Sequence, residues 1–345
     1  MSDDTMRADQ RLAFARAALA DQRVALEPAS SDASFRSYWR ITDCTPSFIV
    51  MDAPPDKEDL GPWLDVAARL DAAGIAAPRV VARDLEQGFL LLSDLGSRLL
   101  LPTLDASTVE AAYGRGLDVL LRMQRDVRAT GLPPYDRDRL VTELELMPTW
   151  FLQRHLGFTP ACEDWDVIER AFDLLCHDAL AQDRVFVHRD FHARNVLLGG
   201  DDSWALIDFQ DAVTGPITYD LVSLLRDCYI VWPEHDVYRW VERFRAQAVD
   251  AGLTRADEHA FRRWFDLMGL QRHIKVLGIF CRLWYRDGKS GYLADLPRVW
   301  SYARDVGRRY AETAPLIALI ERAIGDADLT RARPSDSRTT AACAH

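Results

Sequence analysis

The most informative segment of this sequence is VHRDFHARNVLL at residues 187–198, followed by LIDF at residues 206–209. It places Asp190, Asn195 and Asp208 on two short loops flanked by apolar, strand-like runs. A carboxylate such as Asp190 can orient or deprotonate an attacking hydroxyl group. The oxygens of Asn195 and Asp208 are hard ligands of the kind that bind Mg²⁺. The pattern therefore predicts a site for phosphoryl transfer, with Asp190 as the catalytic residue and Asn195 and Asp208 as metal ligands.

These residues also have an ordinary explanation, because Asp and Asn favour turns by hydrogen bonding to their own backbone. Turn chemistry accounts easily for one of the three, but not for all three in this order beside apolar strands. His-Arg-Asp with a later Asn, and then Ile-Asp-Phe after a strand, match the signature motifs of kinases in order and spacing. We therefore favour the catalytic interpretation.

Length, composition and charge limit the number of domains and the classes of partner. Its 345 residues, 48% of them hydrophobic, suffice for two domains or one two-lobed domain with a sizeable core. The formal net charge of −11 argues against a nucleic-acid partner, since phosphate backbones require basic patches. The charge would suit a cationic substrate, although acidic solubility is its commoner cause.

The sequence also indicates where the protein works. No run of about eighteen apolar residues occurs, so we expect no membrane-spanning helix. The acidic start at residues 1–4 lacks the basic and apolar regions of a secretory signal. Scattered cysteines without a Cys-x-x-Cys pair are typical of free thiols in a reducing compartment. We therefore expect a cytoplasmic protein without a membrane partner.

Hydrophobic patterns divide the chain into a small β-rich lobe, residues 1–95, and a larger helical lobe, residues 96–325, which together predict an α+β fold. In the first lobe, a small and polar stretch at residues 29–34 predicts a turn. The other elements expected there are a helix at 8–23, strands at 35–41 and 47–51, a helix at 59–73, and strands at 79–83 and 88–92. Residues 326–345 are polar and without periodicity, and we expect a disordered tail.

The sequence LLSDLG at residues 91–96 ends the last of these strands at a glycine, and we interpret it as a hinge. Backbone groups near Leu92 and Asp94 could then bond the edge of an adenine, while apolar neighbours cover the ring. A plain strand end explains the same residues equally well. Beyond the hinge the patterns are mainly helical, apart from the strand-like runs at 185–209.

A β-rich lobe, a hinge and a helical lobe with these motifs resemble the bilobal protein-kinase-like fold, over roughly residues 25 to 310. Two stretches are similar to the aminoglycoside phosphotransferase and choline kinase branch of that fold. They are FHARN at residues 191–195 and FQDA with the later GP and YDL at residues 209–221. The resemblance implies ATP and Mg²⁺ as cofactors, and a structural place for His188 beneath the catalytic loop.

The resemblance also implies that the turn at Ser30 to Ser34 covers the nucleotide's phosphates, with Ser34, Phe35 and Arg36 as nucleotide-binding residues. A generic entry into a hairpin would explain the same turn. The family usually carries a lysine near the end of the third strand to hold these phosphates, but FIVMD at residues 48–52 has none. Lys57, just beyond, is our first candidate for the missing cation, and Arg36 is the second. A solvated surface role fits each of them as well.

Within that branch, three stretches look like the bacterial anomeric sugar kinases, which phosphorylate N-acetylmuramate and N-acetylglucosamine at C1 in peptidoglycan recycling. They lie at residues 31–40, 50–58 and 272–280. The resemblance implies an amino sugar as the substrate and a hand-off of the sugar 1-phosphate to a nucleotidyltransferase. Candidate sugar-binding residues, which could also be core residues or surface ion pairs, are Glu145, His192, Tyr219, Arg226 and Arg286.

Two other functions stay open at this point. The acidic charge fits a kinase for a cationic small molecule, such as choline or an aminoglycoside. The absent strand lysine fits a pseudokinase that binds a nucleotide without turnover. The intact Asp190, Asn195 and Asp208 argue against a pure binder, which would have little need of all three.

Overall fold

The structure is a computed structural model, and the residues that it describes are 3–31, 35–42, 44–289 and 291–333. The chain divides into two compact units. One comprises Met1–Leu132 and Phe186–Val213, and we call it the sheet unit. The other comprises Pro133–Val185 and Thr214–His345, and we call it the helical unit. The mixture of an antiparallel sheet with many helices confirms the predicted α+β class.

The sheet unit is built on a five-stranded antiparallel sheet with strand order β1-β2-β3-β5-β4. Its strands are β1 Leu26–Ser31, β2 Ser37–Ile41, β3 Phe48–Asp52, β4 Val80–Asp84 and β5 Phe89–Ser93. Strands β2 to β5 lie within two residues of the predicted positions, because β-branched and aromatic side chains cluster there. Ile41, Val50 and Leu91 form a buried core with Ala15 of the N-terminal helix α1, Asp3–Leu19.

Strand β1 corrects the turn that we predicted at residues 29–34. Residues 29–31 continue the strand, and Ser31 pairs with Ser37 of β2 across the sheet. A bulge between Pro28 and Ser30 accommodates the local irregularity. Ser and Ala have a low intrinsic strand preference, but the hydrogen-bonded ladder to β2 overrides it. Residues 32–34, the rest of the predicted turn, lie outside the described residues.

Helix α2, Leu60–Ala72, confirms the helix predicted at 59–73. It begins where the Asp59 carboxylate accepts a hydrogen bond from the Gly61 amide at 2.8 Å. It ends before Gly74, whose φ of +67° favours glycine. Its apolar residues recur at helical spacing, and the buried ones are Leu60, Trp63, Val66, Ala67 and Leu70.

A short hairpin connects the loop of Asp190 and Asn195 to the loop of Asp208. Strand β7, Val196–Leu198, pairs antiparallel with β8, Trp204–Leu206. Trp204 packs on helix α3, Val109–Asp126, at Gly116, where an added Cβ would lie 2.4 Å from the indole ring. Close packing on a rigid helix therefore fixes the hairpin from which both motif loops emerge.

A charge cluster of Arg7, Arg11 and Asp52 links helix α1 to the end of strand β3. Asp52 accepts hydrogen bonds from Arg7 Nη2 at 2.7 Å and from Arg11 Nη1 at 2.8 Å. The guanidinium groups also lie over aromatic rings, Arg7 over Phe89 at 4.2 Å and Arg11 over Trp39 at 3.6 Å. Asp52 ends strand β3, where the resemblance led us to expect a lysine, and its carboxylate binds helix α1.

Removing the Asp52 carboxylate should destabilise the protein strongly. We expect Asp52→Ala to lower the free energy of unfolding by about 3 kcal/mol, because Arg11 would be left buried without its counter-charge. Urea denaturation measures the free energy of unfolding of the wild type and the variant. The matched control is Asp71→Ala, since Asp71 pairs with Arg79 on the exposed surface, and such pairs contribute less than about 1 kcal/mol. Equal losses in the two variants would refute the structural role of the cluster.

The helical unit packs its helices around α8, which spans Glu258–Tyr285. The other helices are α4 Arg137–Leu144, a π-helical segment Met147–Leu156, α5 Cys162–Leu180, α6 Tyr219–Leu225, α7 Glu234–Asp250, α9 Leu296–Gly307 and α10 Ala314–Ile324. Gly278 lets α8 approach the π-helical segment, since a Cβ there would lie 2.3 Å from the Leu146 backbone. Strands β6, Arg184–Val187, and β9, Val213–Pro216, lie where the chain crosses between the units.

The division into lobes at residues 1–95 and 96–325 stays a prediction. Compared with the first predicted lobe, the sheet unit contains residues 96–132 and 186–213 in addition. Within the predicted tail, residues 326–333 are described, and Leu329 is buried with its carbonyl oxygen 3.0 Å from His155 Nε2. Residues 334–345 lie outside the described part of the chain. Among the described helices, none combines the length and apolar character needed to cross a membrane.

Candidate active site

The loop that carries Asp190 is positioned by a buried histidine. His188 is fully buried, and its Nδ1 accepts a hydrogen bond from the Asp190 amide at 3.3 Å. Burial lowers the pKa of His188 to about 4, so the ring is neutral at pH 7 and can accept that bond. The Asp190 carbonyl accepts from the His192 amide at 3.0 Å. This confirms the structural place expected for His188, beneath a loop whose shape its backbone bonds define.

Asn195 joins the two motif loops. Its Nδ2 donates to the carbonyl of Asp190 at 3.1 Å and to Oδ2 of Asp208 at 3.3 Å. Its own carbonyl accepts from the Ile207 amide at 3.1 Å. Asp208 has a φ of +63°, a conformation that Asp and Asn tolerate better than other non-glycine residues. The three residues predicted from spacing are therefore brought together within one unit.

The donor set suits Mg²⁺. Because Asn195 Nδ2 is engaged with Asp190 and Asp208, Oδ1 of the same amide is the oxygen that can serve a metal, next to the carboxylate of Asp208. In the described part of the chain no three His, Cys, Asp or Glu side chains form a metal cluster. Mg²⁺ needs no such cluster, since it usually binds through one or two carboxylates together with phosphates and water. These residues therefore fit Mg²⁺ held jointly with a nucleotide.

A cavity of about 370 Å³ within the sheet unit opens beside these oxygens. Its polar lining includes Arg40, Asp94, Asn195 and Asp208. Its apolar and aromatic lining includes Tyr38, Ile49, Trp63, Leu92, Leu197, Ile207 and Phe209. A pocket of this size with apolar walls and a few polar groups is typical of a small-molecule site.

The predicted hinge residues line this cavity, and Asp94 has a structural task there. Its carboxylate accepts from Arg40 Nε at 2.7 Å, from Ser47 Oγ at 2.8 Å and from the Gly96 amide at 2.8 Å. Burial alone would raise the pKa of Asp94, but these hydrogen bonds outweigh it and hold the pKa below its usual value. A nucleotide contact at this segment would therefore come from backbone groups near Leu92 and Asp94, which stays a prediction.

Of the residues predicted to hold phosphates, the structure brings Arg36 to the motif loops. Arg36 is buried, and its Nη2 lies 3.6 Å from Oδ1 of Asp208. Lys57 is exposed, with its Nζ 5.2 Å from the centre of the Phe35 ring. Phe35 is itself 64% exposed. Ser34 lies outside the described residues. The geometry favours our second candidate, Arg36, over Lys57 as the cation nearest Asp208.

The predicted sugar-binding residues fall in both units. His192 belongs to the loop of the sheet unit that carries Asp190, and its amide donates to the Asp190 carbonyl. In the helical unit, Glu145 is exposed at the end of α4, and the Tyr219 hydroxyl accepts from Lys275 at 3.1 Å. Arg226 and Arg286 are engaged in ion pairs, with Asp266 at 2.7 Å and with Asp287 at 2.6 Å. Their roles in substrate binding stay predictions.

The sequence has a helical pattern from Tyr219 to Val231, which predicts a helix longer than the one that forms. Helix α6 ends at Leu225, and Arg226 leaves the helical conformation with a φ of −123° and a ψ of 50°. There its buried guanidinium pairs with Asp266, whose carboxylate also accepts from the hydroxyls of Tyr238 and Tyr310, each at 2.8 Å. Such a network satisfies a buried charge, and tertiary pairing therefore overrides the local helical pattern.

Two contacts around Asp208 were not foreseen. Gln210 Nε2 donates to Oδ1 of Asp208 at 3.0 Å. The ring of Phe209 lies 5.1 Å from that of Trp63 in α2, and both rings are buried. The sequence carries Gln210 where the D-F-G motif of protein kinases has glycine, and this difference is a visible signal for the first contact. Nothing local in the sequence points to the second.

Comparison with known proteins places these features in a family. The model of a family described as "Phosphotransferase enzyme family" matches residues 25–265. The N-acetylmuramate/N-acetylglucosamine kinase of Pseudomonas aeruginosa is 45% identical over 296 residues, covering 86% of this chain and 87% of that protein. The protein of the same name from Neisseria meningitidis is 42% identical over 307 residues, covering 87% and 91%.

Solved structures share the fold. The choline kinase LicA from Streptococcus pneumoniae matches with a TM-score of 0.61 at 13% identity, covering 86% of this chain and 99% of that one. The ADP-bound aminoglycoside phosphotransferase APH(2″)-Ib matches with a TM-score of 0.57 at 13% identity, covering 86% and 98%. At these identities the likeness concerns the fold alone, and it confirms the protein-kinase-like fold predicted from the motifs.

Proposed function

Because the chain belongs to the phosphotransferase enzyme family, we propose that it transfers the terminal phosphoryl group of ATP, with Mg²⁺, to an amino sugar. The observation that carries the proposal is the junction at Asn195, whose side chain bonds both Asp190 and Asp208. This junction puts a candidate base and a candidate metal ligand on adjoining loops. The names of the relatives support N-acetylmuramate and N-acetylglucosamine as the acceptors.

Each residue of the site has a chemical task in this proposal. The Asp190 carboxylate accepts the proton of the sugar hydroxyl, or orients that hydroxyl for attack. Asn195 and Asp208 would hold Mg²⁺, which neutralises charge on the phosphates when bound. Arg36 supplies a guanidinium that can bond phosphate oxygens at the same place. Phosphoryl transfer needs little more than such positioning and charge stabilisation.

The acceptor position that suits this site is the C1 hydroxyl. A C1 hydroxyl is part of a hemiacetal and is more acidic than an ordinary alcohol, so a single carboxylate is a sufficient base. Its product, a sugar 1-phosphate, is the form that a nucleotidyltransferase needs to make a nucleotide sugar. We therefore place the reaction in peptidoglycan recycling in the cytoplasm, ahead of such a transferase.

The position of the phosphate gives a direct test. We expect N-acetylmuramate and N-acetylglucosamine to be phosphorylated at C1, and their C1 methyl glycosides to give no product, because the methyl group removes the attacking hydroxyl. Phosphorus–carbon coupling in NMR spectra of the product locates the phosphate. Choline and an aminoglycoside in the same panel test a cationic acceptor. A 6-phosphate, or turnover of a methyl glycoside, would refute the C1 assignment.

A further inference from the structure

We propose that Arg36 serves as a counter-cation that occupies Asp208 until nucleotide phosphates arrive, so that Mg²⁺ binds tightly only together with the nucleotide. The proposal rests on the proposed function in taking Asp208 as a metal ligand and a nucleoside triphosphate as the donor. It adds an order of binding, set by a residue outside the kinase signature motifs. Arg36 would thus couple two ligands rather than only hold one.

The first support is the place of the guanidinium. Arg36 Nη2 lies 3.6 Å from Oδ1 of Asp208, and only 6% of its side chain is exposed. An arginine keeps its charge at every physiological pH, and a buried charge requires an anionic partner. The same Asp208 oxygen accepts from Gln210 Nε2 at 3.0 Å, and Oδ2 accepts from Asn195. Donors therefore already surround the carboxylate that Mg²⁺ would use.

The second support is the fixed backbone on both sides of Arg36. Ser37 begins strand β2 and pairs in register with Asp52. The Phe35 amide donates to Oε1 of Glu58 at 3.0 Å, just before helix α2. The base of the Arg36 side chain is therefore held in place. Its long, flexible stem can redirect the guanidinium without moving the strand.

The charge of Arg36 affects whether Mg²⁺ binds at Asp208 alone or together with a nucleotide. Mg²⁺ and a guanidinium on one carboxylate would repel each other, and at such distances the repulsion is strong where water is partly excluded. Mg²⁺ alone must therefore compete with the Arg36 guanidinium for the Asp208 carboxylate. With a nucleotide, the phosphates offer Arg36 a new anionic partner, which a guanidinium can bond through two nitrogens. Reciprocity requires that the nucleotide favour metal binding as much as metal favours nucleotide binding.

The test measures metal binding without any acceptor. Mn²⁺ serves as the probe, titrated into the full chain and followed by electron paramagnetic resonance, with and without a non-hydrolysable ATP analogue. Without the analogue, Arg36→Met should bind Mn²⁺ about tenfold more tightly than the wild type, within the usual 5- to 150-fold range of coupling. The analogue should tighten Mn²⁺ binding in the wild type about tenfold more than it does in Arg36→Met.

Three further variants calibrate the titration. Arg98→Met removes the same charge from the sheet unit, but Arg98 is about half exposed and pairs with Asp202, so it should titrate like the wild type. Asp208→Asn removes the proposed metal ligand. The Mn²⁺ that this variant still binds measures binding at other sites on this acidic chain. Arg36→Lys keeps the charge and should stay closer to the wild type than Arg36→Met does, provided that circular dichroism shows both to be folded.

Unchanged Mn²⁺ affinity in Arg36→Met, or an unchanged effect of the analogue, would overturn the proposal. An equal gain in Arg98→Met would overturn it too, since net charge alone would then explain the result. A failure of the proposed function has a different signature. If the proposed function were wrong, no sugar in the acceptor panel would be phosphorylated. The Mn²⁺ titrations contain no acceptor, so their results would not change.

Discussion

Asp190→Asn is expected to lower kcat by about 10²- to 10⁴-fold, the usual contribution of a positioned acid or base. The affinity for ATP should stay nearly unchanged. In the structure the amide of Asp190 donates to His188, and its carbonyl accepts from His192 and Asn195. These bonds involve the backbone of Asp190, so the amide side chain should leave the loop in place while removing its capacity to accept a proton.

Steady-state kinetics with saturating sugar and ATP measure this effect, and calorimetry measures nucleotide binding. Asp65→Asn is a suitable control, because it makes the same chemical change on the exposed side of helix α2. A control variant with wild-type kcat would show that the charge change alone is harmless. Wild-type turnover in Asp190→Asn would refute the assignment of Asp190 as the base.

Asp208→Asn is expected to lose turnover and the Mg²⁺-dependent part of nucleotide binding. Loss of a residue that only supports a metal ligand typically costs 10- to 100-fold in metal affinity or activity, and loss of a ligand itself should cost more. Asn is the informative replacement because Asp208 has a φ of +63°, which Asn also tolerates. Asp208→Ala should abolish turnover as well, but with added backbone strain.

Calorimetric titration of ADP with Mg²⁺ and with a chelator isolates the metal-dependent part of binding. In the wild type the two curves should differ, and in Asp208→Asn they should coincide. The thermal midpoint of the variant, measured without ligands, shows whether the fold survives. Persistent Mg²⁺-dependent binding together with activity would exclude Asp208 as the metal ligand.

The parts of this protein that the sequence predicted well are those encoded by neighbours in the chain. Strands β2 to β5 follow from β-branched and aromatic clusters, and α2 follows from apolar residues at helical spacing. The grouping of Asp190, Asn195 and Asp208 was also predictable, because one short hairpin, β7 and β8, connects the loops. Local patterns determine these features, so a single sequence is enough to find them.

What the sequence did not predict depends on partners far apart in the chain. The choice between Arg36 and Lys57 required knowing that Arg36 lies 3.6 Å from Asp208. The ion pair of Arg226 with Asp266, 40 positions away, was invisible to a pattern that favoured a longer helix. Such pairings are set by tertiary packing, which overrides local preference and leaves no periodic trace.

The attachment of helix α1 has a consequence for where this protein can be cut. Arg7 and Arg11 reach across the sheet unit to Asp52, and Ala15 completes the core beneath β2, β3 and β5. A fragment that begins at strand β1 would retain the motif loops. It would, however, expose the apolar face that Ala15 covers and leave the buried Asp52 carboxylate without Arg7 and Arg11. We therefore expect a fragment that folds to include α1 as well as the residues that carry the motifs.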